Sequence, residues 1–321
     1  MHYYIGVDLG GTKIRVALAG VGDQIVAARS FPTGAGRGAA AVLQALQGGI
    51  NELLAGAGCS RHAVAGIGVC AAGFYDREED IMVHSPNLPG WDGLPLRREL
   101  EELFGLPVIV ENDASAAAYG EYRHGAGRGQ ENLLLLTLGT GIGGGLVLGG
   151  KLYGGSRGFA GEIGHIPMLP DGPRCGCGRS GCLEALASGT AIALEGRKLL
   201  AAGTSSLLRE KKGDAADLGA ADVFEAARRG DGAAGRIIEQ ASFFLGRALA
   251  IAANILNPGI IILSGGMAAS GDQLFEAVRR HFYASVSPPI AAGLEIAAAQ
   301  LGADSGILGI LALLREYLST Q

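Results

Sequence analysis

Residues 3–19 read YYIGVDLGGTKIRVALA, and most of what the chain says about its fold is written there. Ile5, Val7 and Leu9 alternate with small or polar residues into a corner, Gly10-Gly11-Thr12-Lys13, and the alternation resumes at Ile14, Val16 and Leu18. A period of two on either side of glycines predicts two strands joined by a tight turn. The design returns at residues 133–148, LLLLTLGTGIGGGLVL, where an apolar run enters Gly139-Thr140-Gly141 and leaves through Leu146, Val147 and Leu148. No short solenoid repeat accompanies the echo. The chain therefore reads as two related α/β halves, each opening on a glycine-cornered hairpin.

Working outward, the pattern predicts a helix over 39–54, a buried strand over 64–70, and a strand over 108–111 that enters a helix at Asp113. Apolar residues at helical spacing from Ile237 to Leu256 predict a long helix stopped by Asn257 and Pro258. The run Ile260 to Leu263 then predicts a buried strand ending at Ser264-Gly265-Gly266, ahead of a helix containing Leu274 and Val278, and a last helix covers 307–318. The polar stretch from Thr204 to Leu218 reads as a surface connection. A chain of 321 residues exceeds the size of one growing core, so two lobes are expected. Their expected bounds are 1–113 with 304–321 for the N-terminal lobe and 114–303 for the C-terminal lobe.

Composition narrows the function. With 48% hydrophobic and 18% charged residues the chain is globular and not disordered. A net charge of -5 without a long basic run argues against nucleic acid or an anionic membrane as partner. Apolar stretches are broken by charge or glycine short of a membrane span. The first strand begins almost at the first residue, which leaves no room for a signal peptide or an appended DNA-binding module, and a cytoplasmic location is expected. Of five cysteines, three crowd into positions 175, 177 and 182, a spacing that points to metal before disulfide in a reducing compartment.

Backbone N–H groups reach phosphate oxygens only where no side chain intervenes, and glycine corners provide this. Gly10, Gly11, Thr12 and Lys13 form one such corner and Gly139, Thr140 and Gly141 the other, while Asp8 offers a carboxylate suited to a hydrated Mg²⁺. Either corner alone is equally well a tight turn. Together they point to a nucleotide, and the P-loop spacing is absent. Gly265 and Gly266 could let an adenosine lie against the backbone, although any strand-to-helix turn needs small residues. Asp113, after Glu111 and Asn112 at a strand-to-helix junction, is placed to act as a general base, and the alternative is a helix N-cap.

His165, Cys175, Cys177 and Cys182 supply one imidazole and three thiolates, a closed tetrahedral set for structural Zn²⁺, and Gly176, Gly178 and Gly181 let the loop fold back. Glu162 and Glu184 lie close to that set in sequence, as acceptors for sugar hydroxyls or as solvated surface charges. Cys59 and Cys70 read as packing residues.

These residues together resemble the ROK family (repressor, open reading frame, kinase) of sugar kinases and sugar-responsive repressors. The resemblance rests on DLGGTK at 8–13, SPNLPGW at 85–91, ENDASAAAYGE at 111–121, LGTGIGGG at 138–145, GEIGH at 161–165, CGCGRSGCLE at 175–184 and SGG at 264–266. It implies a two-lobed, actin-like or hexokinase-type ATPase fold with an active-site cleft between lobes. It implies ATP and Mg²⁺ as cofactors, structural Zn²⁺ on His165 and the three cysteines, and a homodimer. Asp113 is implied as catalytic base, and Asn87, Asn112, Asp113, Glu162, His165 and Glu184 as sugar ligands. Where the family usually has proline-glycine, this chain has Ala72-Gly73, and Gly73 can still lend its backbone to the sugar.

Residues 182–192, CLEALASGTAI, look most like the glucokinases of the family. The expected reaction is transfer of the ATP γ-phosphoryl group to a hexose hydroxyl, glucose O6 first, with N-acetylglucosamine, N-acetylmannosamine or fructose as alternatives. Two rivals are a sugar-sensing repressor, whose DNA-binding module is expected ahead of the first hairpin, and an actin-like ATPase, for which the zinc loop and the Asn112-Asp113 pair would have no purpose.

Overall fold

Alternation sorts the side chains of β1 (Tyr3–Leu9) and β2 (Lys13–Ala19) onto the two faces of a sheet. A computed structural model describes residues 2–204, 206–210, 215–268 and 272–321. In it β1 and β2 pair antiparallel, with Leu9 opposite Ile14 and Asp8 opposite Arg15. The chain continues through β3 (Ile25–Pro32), α1 (Ala39–Gly56), β4 (Val64–Ala71), a small hairpin of β5 (Phe74–Asp76) and β6 (Ile81–His84), α2 (Leu96–Phe104), β7 (Val108–Asn112) and α3 (Asp113–His124). The first sheet has the order β3-β2-β1-β4-β7, in which β4 runs parallel to β1 and β7 parallel to β4.

One face of this sheet carries the bulk. Ile5, Val7, Leu9, Ile14, Val16, Leu18, Ile67 and Val69 pack with Val42, Leu46 and Ile50 of α1 and with Leu100 and Phe104 of α2. Those α1 residues recur at helical spacing, which is why the segment forms a helix and which face it buries. The other face of the strands alternates to Gly6, Gly66 and Gly68, and this bareness has a purpose described below.

The second sheet has the order β10-β9-β8-β11-β12, built from β8 (Leu133–Leu138), β9 (Ile142–Leu148), β10 (Lys151–Leu152), β11 (Ile260–Ser264) and β12 (Glu295–Ala298). β11 runs parallel to both β8 and β12. Strands flanked in this way are buried on both faces, and Leu133 to Leu136 and Ile260 to Leu263 are almost wholly so. Helices α4 (Leu183–Ala187), α5 (Gly189–Ala201), α6 (Ala220–Arg228), α7 (Gly232–Leu256), α8 (Asp272–Tyr283) and α9 (Pro288–Ala291) complete this part. Asp231 caps α7 by accepting from the N–H groups of Ala233 (2.8 Å) and Ala234 (3.1 Å), and Asn257, at φ 44°, ends it. Within the expected surface connection, residues 205 and 211–214 lie outside the described residues. No described helix is long and apolar enough to cross a membrane.

The last helix, α10 (Ser305–Ser319), returns to the first sheet. Ile307 and Leu311 cover Ala17 and Ala19, and Ile310 packs with Cys70 and Ala116. A Cβ on Gly68 would stand 2.9 Å from the Ile310 carbonyl oxygen, so the bare strand face admits the helix backbone itself. Against α3 the approach is closer still. A Cβ on Gly309 would lie 1.8 Å from the Ala116 carbonyl oxygen, and one on Gly120 2.1 Å from that of Ser305. At the end of α3 the wholly buried Glu121 accepts from the N–H groups of Ala126 (2.9 Å), Gln300 (3.1 Å) and Leu301 (2.8 Å), which fixes the chain's re-entry.

The chain thus divides into unit 1 (Met1–Glu131, Gly145–Gly161, Gln300–Gln321) and unit 2 (Asn132–Gly144, Glu162–Ala299). The bounds differ from those read in the sequence. α3 stays with unit 1 because its glycine face is locked to α10, and residues 145–161 also belong there.

Gly309→Ala is expected to destabilise unit 1 by ~3 kcal/mol, at the upper end of overpacking costs because the obstacle is backbone. Gly48→Ala, also in a helix but with open space at its Cβ, is expected to stabilise by up to ~1 kcal/mol. Urea titration followed by the fluorescence of Trp91, the single tryptophan and fully buried in unit 1, reads both.

Candidate functional site

In unit 1 the first glycine corner hangs from Thr33. Its hydroxyl donates to the Gly10 carbonyl (2.6 Å) and its N–H to the Thr12 carbonyl (2.9 Å), while Gly10 N donates to Lys13 O (3.2 Å). Nothing in the local sequence marks Thr33, whose partners lie some twenty residues away. A Cβ on Gly11 would stand 2.7 Å from the Asn87 carbonyl oxygen, so the SPNLPGW segment is seated directly on the corner. Asp8 is the penultimate residue of β1. Burial first, and the charge of Asp113 second, push its carboxyl up to about 6, against the opposing pull of Arg15 and Lys13.

The junction at Asn112-Asp113 separates the two readings of the sequence. Asn112 Oδ1 accepts from Ser115 N (3.0 Å) and is the cap of α3, and its Nδ2 donates to the Gly73 carbonyl (3.1 Å). Gly73 itself sits at φ 129°, where a Cβ would meet the His84 carbonyl oxygen at 2.6 Å. Capping therefore falls to Asn112, and Asp113 is the first residue of the helix proper. Asp113 Oδ1 accepts from Ala114 N (2.9 Å) while the residue stays open to solvent. Protein crowding around it strips hydration and raises its pKa, opposed by the hydrogen bonds from Ala114 and Asn112.

In unit 2 the second corner is closed by Gly139 N donating to Gly141 O (3.0 Å). It is fastened to the start of α5, where Gly189 N donates to Gly139 O (2.8 Å) and Thr190 N to Thr140 O (3.3 Å). Gly139, Thr140 and Gly266 line one cavity of about 550 Å³, together with Thr190, Arg197 and the first turn of α6. Sequence reasoning did not assign these last contributors to the site; they come from α5 and from the start of α6, some thirty residues further on. The two glycines after β11 do different things. Gly265, at φ 92°, turns the chain against the Leu138 carbonyl, whereas Gly266 has open space at its Cβ and faces the cavity.

Gly141 differs from what the sequence suggests. A Cβ there would lie 2.4 Å from Oε2 of Glu184, and that oxygen accepts from Ile142 N (2.9 Å). The glycine makes room for the glutamate as well as for any phosphate.

The four expected metal ligands converge, with the donor atoms of His165, Cys175, Cys177 and Cys182 all within 4.8 Å of one another. Cys177 Sγ stands 3.7 Å from Cys182 Sγ, and Cys175 Sγ 3.7 Å from His165 Nδ1. Tetrahedral thiolate zinc with bonds of about 2.3 Å spaces its sulfurs about 3.8 Å apart, so the set fits Zn²⁺ as it stands. Gly181, at φ 71°, permits the fold-back, since a Cβ would strike the Leu169 carbonyl at 1.7 Å. With Nδ1 turned to the cysteines, Nε2 of His165 lies 3.9 Å from Glu162, and Glu184 Oε1 lies 3.7 Å from Cys175 Sγ. His165, Glu162 and Glu184 are therefore drawn to this loop. Cys70 is a packing residue, wholly buried with its thiol on the Val7 carbonyl (3.3 Å).

Known proteins resemble this chain over nearly its whole length. A glucokinase of Halalkalibacterium halodurans is 40% identical over 309 residues, 96% of this chain and 93% of that protein. An N-acetylmannosamine kinase of Escherichia coli is 35% identical over 306 residues, covering 95% and 96%. The crystal structure of a ROK family glucokinase from Streptomyces griseus in complex with glucose and AMPPNP matches with a TM-score of 0.84 at 34% identity, over 98% of this chain and 99% of that one. The sequence model of the ROK family spans residues 4–317, and with relatives this similar over nearly the whole length, the chain belongs to the ROK family.

Proposed function

We propose that the protein is an ATP-dependent sugar kinase that transfers the γ-phosphoryl group to a hexose hydroxyl, with O6 of glucose the preferred acceptor. The observation that carries this reading is the division of labour at the head of α3. Asn112 does the capping, and Asp113 is left as an accessible carboxylate whose raised pKa brings it closer to the working range of a general base. The glucokinase at 40% identity supports the choice of glucose.

In this mechanism Asp113 takes the proton of the acceptor hydroxyl as its oxygen attacks the γ-phosphorus. Phosphoryl transfer passes through a loose transition state, so positioning and neutralisation of charge do most of the work. Lys13 and the corner at Gly10, Gly11 and Thr12 hold phosphate oxygens, as does the corner at Gly139, Thr140 and Gly141, and Gly265 and Gly266 give the adenosine an open backbone. Asp8 would hold a hydrated Mg²⁺, which would supply neutralisation of phosphate charge. Gly73, Asn87, Asn112, Glu162, His165 and Glu184 hold the sugar. Zn²⁺ on His165, Cys175, Cys177 and Cys182 is structural, and these ligands fix the imidazole so that Nε2 is presented to a sugar hydroxyl. A homodimer in the cytoplasm is part of the same reading. The identity with N-acetylmannosamine kinases keeps acetamido sugars as the second choice, and ADP release across glucose, N-acetylglucosamine, N-acetylmannosamine, mannose and fructose decides between them.

Asp113→Asn preserves size and leaves the Asn112 cap untouched, so kcat for glucose is expected to fall at least about a hundredfold while sugar affinity changes little. A kcat within a few-fold of wild type would remove Asp113 from the role of base. Since the crowding of protein around it raises its pKa, the acid limb of kcat/KM should lie above the range of an ordinary aspartate, with activity lost as pH falls through it and the carboxylate takes up a proton.

Purified protein is expected to hold about one Zn²⁺ per chain, and Cys177→Ala to lose it. The variant should bind glucose more weakly, through a loosened His165, and keep its nucleotide affinity. Metal analysis with calorimetry for each ligand checks all three statements, and equal, negligible zinc in both proteins would contradict the first.

A further inference from the structure

Arg77, on the turn after β5, has no part in the site as drawn so far, yet its surroundings are built around it. Its guanidinium pairs with Oε2 of Glu111, and the other oxygen of that carboxylate accepts from Asn112 N at 2.8 Å. Glu111 is only 6% exposed. A carboxylate this enclosed is tolerated only when paired and hydrogen-bonded. From Asn112 the contacts continue to the Gly73 carbonyl and to Ser115 N. An unbroken polar chain therefore runs from Arg77 to the residue preceding Asp113.

The slot for Arg77 is preformed. A Cβ on Gly154 would stand 2.4 Å from a guanidinium nitrogen, and one on Gly158, at φ 99°, would stand 3.1 Å from Cγ of the same side chain. Two glycines thus leave space that the arginine fills. Arg77 N donates to the Arg157 carbonyl (3.1 Å), and Arg157 Nε donates to the wholly buried Asp76 (2.7 Å). Phe74 meets Phe159 edge-on with 5.9 Å between ring centres. The β5–β6 hairpin and residues 154–159 are held together on both sides of the guanidinium, which stays partly open to solvent.

We propose that Arg77 is a positioning residue of the sugar site: by neutralising Glu111 it holds Asn112 and Asp113 in register with the acceptor hydroxyl. The proposal rests on the reading of Asp113 as general base. Without the guanidinium, Glu111 is a buried charge with one partner too few. It must turn toward water and release Asn112 N, or stay and strain the junction. Either outcome moves Asp113, and phosphoryl transfer is sensitive to such displacement because so much of it is positioning.

The test is a double-mutant cycle of Arg77→Met, Glu111→Gln and the pair together, with kcat and KM measured for glucose and for ATP. Arg77→Met should lower kcat/KM for glucose by about tenfold to a hundredfold and leave KM for ATP within about twofold. Glu111→Gln, which removes the charge and keeps an acceptor for Asn112 N, should cost less than about fivefold. The double variant should return to within about threefold of Glu111→Gln, because no buried charge is left unpaired. Losses that multiply in the double variant, or a glucose kcat/KM for Arg77→Met within about twofold of wild type, overturn the proposal. Should Arg77→Met fail to fold, Gly154→Ala crowds the guanidinium instead. A loss selective for sugar supports the role, and equal losses for sugar and ATP refute it. Wild-type protein that phosphorylates no hexose in the same assay would refute the kinase reading itself, whereas an active wild type with an unaffected Arg77→Met refutes only the role of Arg77.

Discussion

The position of α3 is set by a contact between backbones. Gly309 of α10 and Gly120 of α3 bring the two helices so close that the Ala116 and Ser305 carbonyls occupy the volume of the missing side chains. α10 can lie there only because Gly68 and its neighbours leave one face of the first sheet bare. Because a helix is stiff over three turns, fixing the middle and end of α3 also fixes its beginning. Asn112 and Asp113 stand at that beginning. The chemistry assigned to the carboxylate thus depends on a backbone contact at Ala116 and Gly120, three and seven residues further along the same helix.

Much of this is legible in the sequence, and what is legible has a common character. The hairpins, the glycine corners, the long helix α7 and the metal ligands are local patterns, with partners within about a turn or a loop of one another. The helix expected over 307–318 is observed over 305–319, for the same reason. What escapes is held by distant partners. Thr33 beneath the first corner, Gly189 and Thr190 beneath the second, and Glu121 reaching Gln300 and Leu301 have partners too far along the chain for a local pattern to pair them. The division of the chain into units likewise differs from the bounds read in the sequence, because a helix's allegiance is decided by which surface its glycines fit. Asn112 and Asp113 lie between these cases. The sequence offers cap and base as alternatives for a pair of adjacent residues, and only hydrogen bonds to Ser115 and Gly73 divide them.

Glu184 shows how one side chain can tie several requirements together. Its Oε2 accepts from Ile142 N and occupies the space beside Gly141, and its Oε1 lies against Cys175 of the metal loop. A substitution at Gly141 therefore acts on the carboxylate as well as on the glycine corner, and a change in the cysteine loop reaches that corner by the same route. If the proposed roles hold, effects on nucleotide at Gly141 and on sugar at Glu184 are coupled through a single residue, and their energies need not add.

The order in which the chain emerges gives the glycine face of the first sheet a further significance. Unit 2 is nearly finished once Ala299 has been made, but unit 1 still lacks its closing segment, Gln300–Gln321. Until α10 arrives, Gly6, Gly66 and Gly68 expose strand backbone with almost no side chain to cover it. Nascent unit 1 must wait for contacts spanning some three hundred residues, the kind of long-range closure that slows folding. In that interval it is the half of the molecule open to misassembly. The residues that admit α10 so closely in the finished protein are those that leave its partner sheet least protected during synthesis.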